Sequence, residues 1–125
     1  MVMQTQTLVK DVMSTPLITV TEDTPLVEAA KKMRENEISA LLVTTAPPSL
    51  VTSTDIRDAI AAERDPFRTV VGDVMTESVE SVPPELPLCE TAAMMETFRI
   101  SHLPVVDDDY IGMVSSTDLT DEFSL

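Results

Sequence analysis

This chain repeats itself. A shift of 62 residues lays Val9-Lys10-Asp11-Val12-Met13 over Val71-Gly72-Asp73-Val74-Met75, Val20 over Val82, Pro25-Leu26 over Pro87-Leu88, and Glu28 over Glu90. The correspondence continues through Ala30 and Ala92, Met33 and Met95, Ile38-Ser39 and Ile100-Ser101, Leu41 and Leu103, and Val43 and Val105, giving 14 identities over the 35 positions from 9 to 43. With one residue added in the second copy, Thr52-Ser53-Thr54-Asp55-Ile56 falls on Ser115-Ser116-Thr117-Asp118-Leu119. Self-similarity at a fixed period means one supersecondary unit used more than once, which fixes the architecture before any single residue is interpreted. The repeats span 8–64 and 71–123, joined by 65–70.

Each copy reads as β-α-β-β-α, an α+β unit. Leu17 to Val20 is β-branched and follows a proline, as a short strand does. Thr24 offers an N-cap hydroxyl and Pro25 a preset first helical turn. Leu26, Ala30, Met33 and Ile38 then continue an apolar stripe at helical spacing, with Glu28, Lys31, Lys32 and Glu35 outside it. Ala40 to Thr44 is a buried strand, Pro47-Pro48 a turn, Leu50 to Thr52 a strand, and Asp55 to Glu63 a helix with Ile56, Ala59 and Ile60 inward. In the second copy the strands are Val79 to Val82, Leu103 to Val106 and Tyr110 to Ser115. Its helices are Pro87 to Phe98 and Thr117 to Phe123, with Asp107-Asp108-Asp109 as the turn.

Composition narrows the function classes. With 125 residues, 43% hydrophobic and 24% charged, the chain has material for a core, which must be aliphatic because aromatics make up 3%. No apolar run approaches membrane-spanning length, and the N-terminus lacks a basic head and an apolar leader region. A single cysteine, Cys89, excludes an internal disulfide. A cytoplasmic protein is expected. Twenty-two acids against eight Lys and Arg give a net charge of −14, so nucleic acid would gain nothing from counterion release here. The acids are spread along the chain, as in the coat of a folded domain. Such a coat suits a very salty cytoplasm, where a Debye length of about 3 Å screens its self-repulsion.

Asp-Val-Met-Ser/Thr at the head of each copy, Ile-Ser-His-Leu-Pro-Val-Val-Asp from Ile100, and Gly112-Met113-Val114-Ser115-Ser116-Thr117-Asp118-Leu119 resemble the cystathionine-β-synthase (CBS) domain. The chain is similar to a tandem pair of such domains, a Bateman module. The resemblance implies two βαββα repeats packed sheet to sheet with pseudo-two-fold symmetry, commonly as a homodimer. It also implies binding of AMP, ADP, ATP or S-adenosylmethionine in the clefts between repeats, signalled to an effector protein.

The residues give this a chemistry. At a strand-to-helix junction, backbone N–H groups carry partial positive charge and a hydroxyl from Thr52 or Ser115 can donate to a phosphate oxygen. An ionised carboxylate three residues on, Asp55 or Asp118, only accepts, which suits ribose hydroxyls. The resemblance implies those roles for these four residues. Adenine would lie against Leu17, Ile38 and Ala40 in one cleft, and against Val79, Ile100 and His102 in the other. The same Ser/Thr-x-x-Asp spacing is also a capping box that needs no ligand, and the two roles are compatible. Gly112 would allow close backbone approach to a ligand, where the first copy has Ser49, so the Asp118 site is expected to bind better. Against this, Asp107, Asp108, Asp109 and Asp118 make the second copy acidic. Only Lys10, Arg57, Arg99 and His102 are placed to offset phosphate charge, so a triphosphate is expected either to bind weakly or to need Mg²⁺ bridging.

Other candidates read as structural. His102 is a half-buried, hydrogen-bonded residue, Cys89 a small core residue on the inner stripe of its helix, and Met33, Met94 and Met95 core. Met13 and Met75 pack at the head of each copy. The triple aspartate lacks the spacing of a calcium loop, and no zinc pattern exists. Without a nucleophile–base pair, the chain is not expected to be an enzyme. The alternative to a nucleotide sensor is a ligand-free dimerisation or protein-docking module.

Overall fold

A computed structural model describes residues 6–77 and 79–123. The first five residues of the stretch inspected for a leader lie outside that range. In chain order the elements are α1 (Val9–Val12), β1 (Thr19–Val20), α2 (Leu26–Asn36), β2 (Ala40–Val43), β3 (Ser49–Thr52), α3 (Ser53–Ala61), a 3₁₀ turn (Val71–Asp73), α4 (Leu88–Phe98), β4 (His102–Asp107), β5 (Asp109–Ser115) and α5 (Ser116–Phe123).

Two compact units result, and they cut across the sequence repeats. One runs from Ile18 to Val79; the other joins the segment ending at Leu17 to the segment starting at Glu80. The head of each copy has therefore changed places. Val71-Gly72-Asp73-Val74-Met75 packs with the first copy's strands, and Val9 to Met13 with the second's. Both heads use one device. Asp11 accepts the Leu8 N–H at 2.8 Å and Asp73 the Val70 N–H at 3.0 Å, closing a turn that buries Val9 and Val71 completely. The duplicated Val-x-Asp-Val-Met is thus a self-capping turn with an apolar anchor.

In the Ile18–Val79 unit, β1 runs parallel to β2, and β3 antiparallel to β2. Thr76 extends the sheet by bridging Leu50, with N–H···O bonds of 2.9 and 2.8 Å. Leu26, Ala29 and Met33 of α2 and Ile56 and Ala59 of α3 close over Leu41, Val43 and Val51. Each of the fully buried Leu26, Leu41, Val43 and Val51 contributes about 1.5–3 kcal/mol of transfer free energy. In the split unit, β4 and β5 form the hairpin, and Ser14 bridges Met113 as Thr76 bridges Leu50. Leu88 and Met95 of α4, Leu119 of α5 and Val9 complete its core with Leu103, Val105 and Val114.

Several expectations need correction. The strand read over Val79 to Val82 shrinks to one parallel bridge between Val82 and Val105. In the sister unit the Leu42 N–H donates to Ile18 O at 3.2 Å; the matching residue is Pro104, which has no N–H to give. Thr24 does not cap α2. Pro25 is the cap residue, Thr24 Oγ1 shares a hydrogen bond with Thr21 Oγ1, and the Leu26 N–H goes to Thr69 O at 2.9 Å. Ile60 is 54% exposed, because the inward stripe of α3 follows Ile56 and Ala59 and Ile60 is one helical step beyond. Cys89 is exposed rather than core, one step past buried Leu88. Gly112 makes room for protein: a Cβ there would stand 2.8 Å from Ser14 O and 3.1 Å from the Met13 sulfur.

Candidate functional site

Two equivalent strand-to-helix junctions carry the sequence-predicted polar residues. β3 ends on Thr52 in an extended conformation and α3 begins at Ser53. The Thr52 N–H donates to Asp55 Oδ2 at 2.9 Å, and the Asp55 N–H returns to Thr52 Oγ1 at 3.2 Å. At the end of β5, the Ser115 N–H donates to Asp118 Oδ2 at 2.8 Å and the Asp118 N–H to Ser115 Oγ at 3.1 Å. Both pairs are reciprocal capping boxes, each box contributing on the order of 1 kcal/mol to its helix. The four side chains are half-buried, neither sealed in the core nor fully hydrated.

A further partner completes each junction. The Ser53 N–H donates to Ser39 O at 2.9 Å and the Ser116 N–H to Ser101 O at 2.8 Å. Three of the four leading N–H groups of each helix are therefore engaged by the unit itself, and the helix end is organised before any ligand arrives. The role of Ser39 and Ser101 escaped residue-type reasoning, because it is carried by backbone carbonyls. Its trace in the sequence was the matched Ile-Ser pair of the two copies. Each capping carboxylate holds its box with Oδ2, and its other oxygen, Oδ1, is also an acceptor.

The register places what faces each hydroxyl residue. Thr52 pairs with Ala40 across the β2–β3 ladder, and Ser115 with His102 across β4–β5. Ala40 is buried and His102 half-buried. Ile38 packs against the core of the Ile18–Val79 unit and Ile100 against that of the split unit. Of the two remaining adenine-pocket candidates, Leu17 belongs to the split unit and Val79 to the Ile18–Val79 unit. The triple aspartate lies at the far end of the hairpin from Ser115, with Asp108 in the left-handed conformation at the tip. Six strand residues at about 3.3 Å each put it roughly 20 Å from the junction, more than two Debye lengths at physiological salt. Its charge therefore does not burden the site as its sequence position implied. Of the candidate cations, Arg57 Nη2 turns to Asp58 Oδ1 at 3.2 Å, while Lys10 and Arg99 lie exposed on α1 and just past α4. Among the described residues no three His, Cys, Asp or Glu side chains gather as a metal site.

Two α+β units, each presenting one capped strand–helix junction, define a tandem-repeat module. A model of the CBS domain matches residues 9–62 and 71–125, and the chain belongs to the CBS domain family. It is 37% identical over 119 residues to a homoserine O-acetyltransferase of Methanohalobium evestigatum, covering 91% of this chain and 24% of that protein. The chain spans about a quarter of the length of this and several other curated relatives. A crystal structure of a CBS domain pair in complex with 5′-methylthioadenosine and S-adenosyl-L-methionine is similar with a TM-score of 0.83 and 31% identity, over 95% of this chain and 97% of that one. A hexameric CBS-CP12 protein from bloom-forming cyanobacteria is similar with a TM-score of 0.89 and 25% identity, over 96% of this chain and 74% of that one.

Proposed function

We propose that this chain is a regulatory, non-catalytic module that binds adenosine-based ligands at its Thr52–Asp55 and Ser115–Asp118 junctions and passes the bound state to a partner protein. The observation that carries this is the duplicated junction: a hydroxyl, a half-buried carboxylate with a second acceptor oxygen, and a pre-ordered helix end, in a chain similar along nearly its whole length to a domain pair that holds two adenosyl compounds. The carboxylate accepts from ribose hydroxyls, and the hydroxyl and helix end face any phosphate. AMP, ADP, ATP and S-adenosylmethionine are the ligands to test. The signal is a population shift: a ligand that prefers one arrangement of the chain stabilises it by its differential affinity. A homodimer in the cytoplasm is the assembly proposed.

A second reading has an observation of its own. Both boxes are complete without ligand, so the junctions also satisfy a purely structural module that dimerises or docks a partner. Calorimetric titration of each nucleotide and of S-adenosylmethionine into wild type and Asp118→Ala separates the two. Saturable binding that weakens at least tenfold in Asp118→Ala supports the sensor. No heat from any ligand, in a folded sample, gives the structural reading.

A further inference from the structure

The two junctions share a backbone and differ in charge. Each compact unit holds eleven of the 22 carboxylates, but six of the eight Lys and Arg lie between Ile18 and Val79, leaving net charges of −5 there and −9 in the split unit. The contrast sharpens on the junction helices. α5 places Asp118, Asp121 and Glu122 at i, i+3 and i+4, one face of the helix, with no cation along its length. α3 carries Asp55 and Asp58 with Arg57 between them, and Arg57 is ion-paired to Asp58. Opposite the hydroxyl residue, the split unit presents the imidazole of His102 and the other unit the methyl group of Ala40.

We propose that the junctions sort adenosine ligands by charge: Ser115–Asp118 takes cationic sulfonium compounds of the S-adenosylmethionine type, and Thr52–Asp55 is the one that accepts phosphate-bearing adenine nucleotides. The proposal rests on the adenosine-binding reading above. Two additional negative charges about 8 Å from a ligand, in water-like dielectric and partly screened, separate a ligand of charge +1 from one near −2 by about tenfold. The sulfonium stands close to the ribose, so it reaches the α5 carboxylates when the ribose hydroxyls engage Asp118.

The test uses the full chain with one junction disabled at a time. Asp55→Asn leaves the Ser115–Asp118 junction and Asp118→Asn leaves the other. Each is titrated at low salt with S-adenosylmethionine, neutral 5′-methylthioadenosine and AMP. Asp55→Asn protein is expected to prefer S-adenosylmethionine over AMP by about tenfold, and Asp118→Asn protein to show no such preference or the reverse. Asp121→Asn with Glu122→Gln, placed in the Asp55→Asn background, removes the charge of two exposed side chains while the Gln amide oxygen keeps an acceptor for the Thr7 Oγ1 that now donates to Glu122 Oε1, and is expected to cut the preference several-fold while leaving 5′-methylthioadenosine affinity unchanged. Equal preference at the two junctions, or a preference unmoved by the α5 substitutions, overturns the charge sorting and leaves the adenosine reading standing. If wild type binds none of the three compounds, both fall together.

Discussion

Val20, Val43 and Leu50 in one unit answer to Val82, Val105 and Met113 in the other, and the hydrogen bonds among them follow the same plan. The surfaces around that plan have diverged. The ion pairs Lys31–Glu28, Arg57–Asp58, Arg64–Asp73 and Arg68–Asp65 lie in the Ile18–Val79 unit, which holds most of the cations. The exposed face of α2 carries Glu28, Lys31, Lys32 and Glu35, whereas the corresponding positions of α4 are Glu90, Ala93, half-buried Met94 and Thr97. The comparison separates two kinds of constraint. Registers, caps and buried aliphatics had to be kept after duplication because each satisfies a backbone group or fills the core. Surface charge, worth little to folding, was free to specialise.

The equivalence of the cores is the first thing to break. Leu41→Ala and Leu103→Ala remove fully buried side chains at matched positions, and each is expected to cost about 3 kcal/mol in urea unfolding. A loss under about 1 kcal/mol at either would show that one core collapses around the cavity and the other does not. Next comes Gly112→Ala, expected to cost about 2 kcal/mol because its new Cβ meets the Ser14 carbonyl oxygen, a backbone atom that cannot swing aside. At the matched site the first unit already holds a side chain, the buried Ser49, hydrogen-bonded to Thr45 at 2.7 Å. Calorimetric melting should therefore fall clearly for Gly112→Ala and less for Ser49→Ala. Thr52→Ala and Ser115→Ala should each cost about 1 kcal/mol, a matched pair that tests whether the caps contribute equally.

The smallest effect runs the other way. Glu37 and Arg99 both end their helices in the left-handed region, at φ of 54° and 55°, where a side chain is strained and glycine is not. Glu37→Gly and Arg99→Gly are each expected to stabilise by about 0.5 kcal/mol, read as a small rise in melting temperature. A loss at only one of them would show that its side chain makes a contact the other lacks.

The legible part of this molecule was whatever repeats or punctuates locally. The 62-residue offset exposed the two copies, and Ser/Thr-x-x-Asp announced both the cap and the candidate site. What stayed hidden depends on partners distant in sequence. Pro104 reads as an ordinary proline until the register sets it where Leu42 donates to Ile18. Gly112 reads as room for a ligand until Ser14 is found against it. Cys89 and Ile60 were each misplaced by one helical step, about 100°, a phase that an apolar stripe with few large residues leaves ambiguous. The exchanged heads leave no local trace at all, because no periodicity reports which sheet a capped turn will join.

That exchange makes the chain indivisible at the boundary between its two sequence repeats. Ser14 and Met113 stand 99 residues apart yet share two backbone hydrogen bonds. A fragment starting at Val71 would carry β5 with its Met113 N–H and C=O unpaired, and one ending at Arg64 would leave Leu50 in the same state. Each half, cut free, would expose a raw sheet edge of the kind that recruits foreign strands and aggregates. The folding route inherits the same demand, since the split unit's sheet cannot finish until Ser14 and Met113, from opposite ends of the sequence, have closed a long loop.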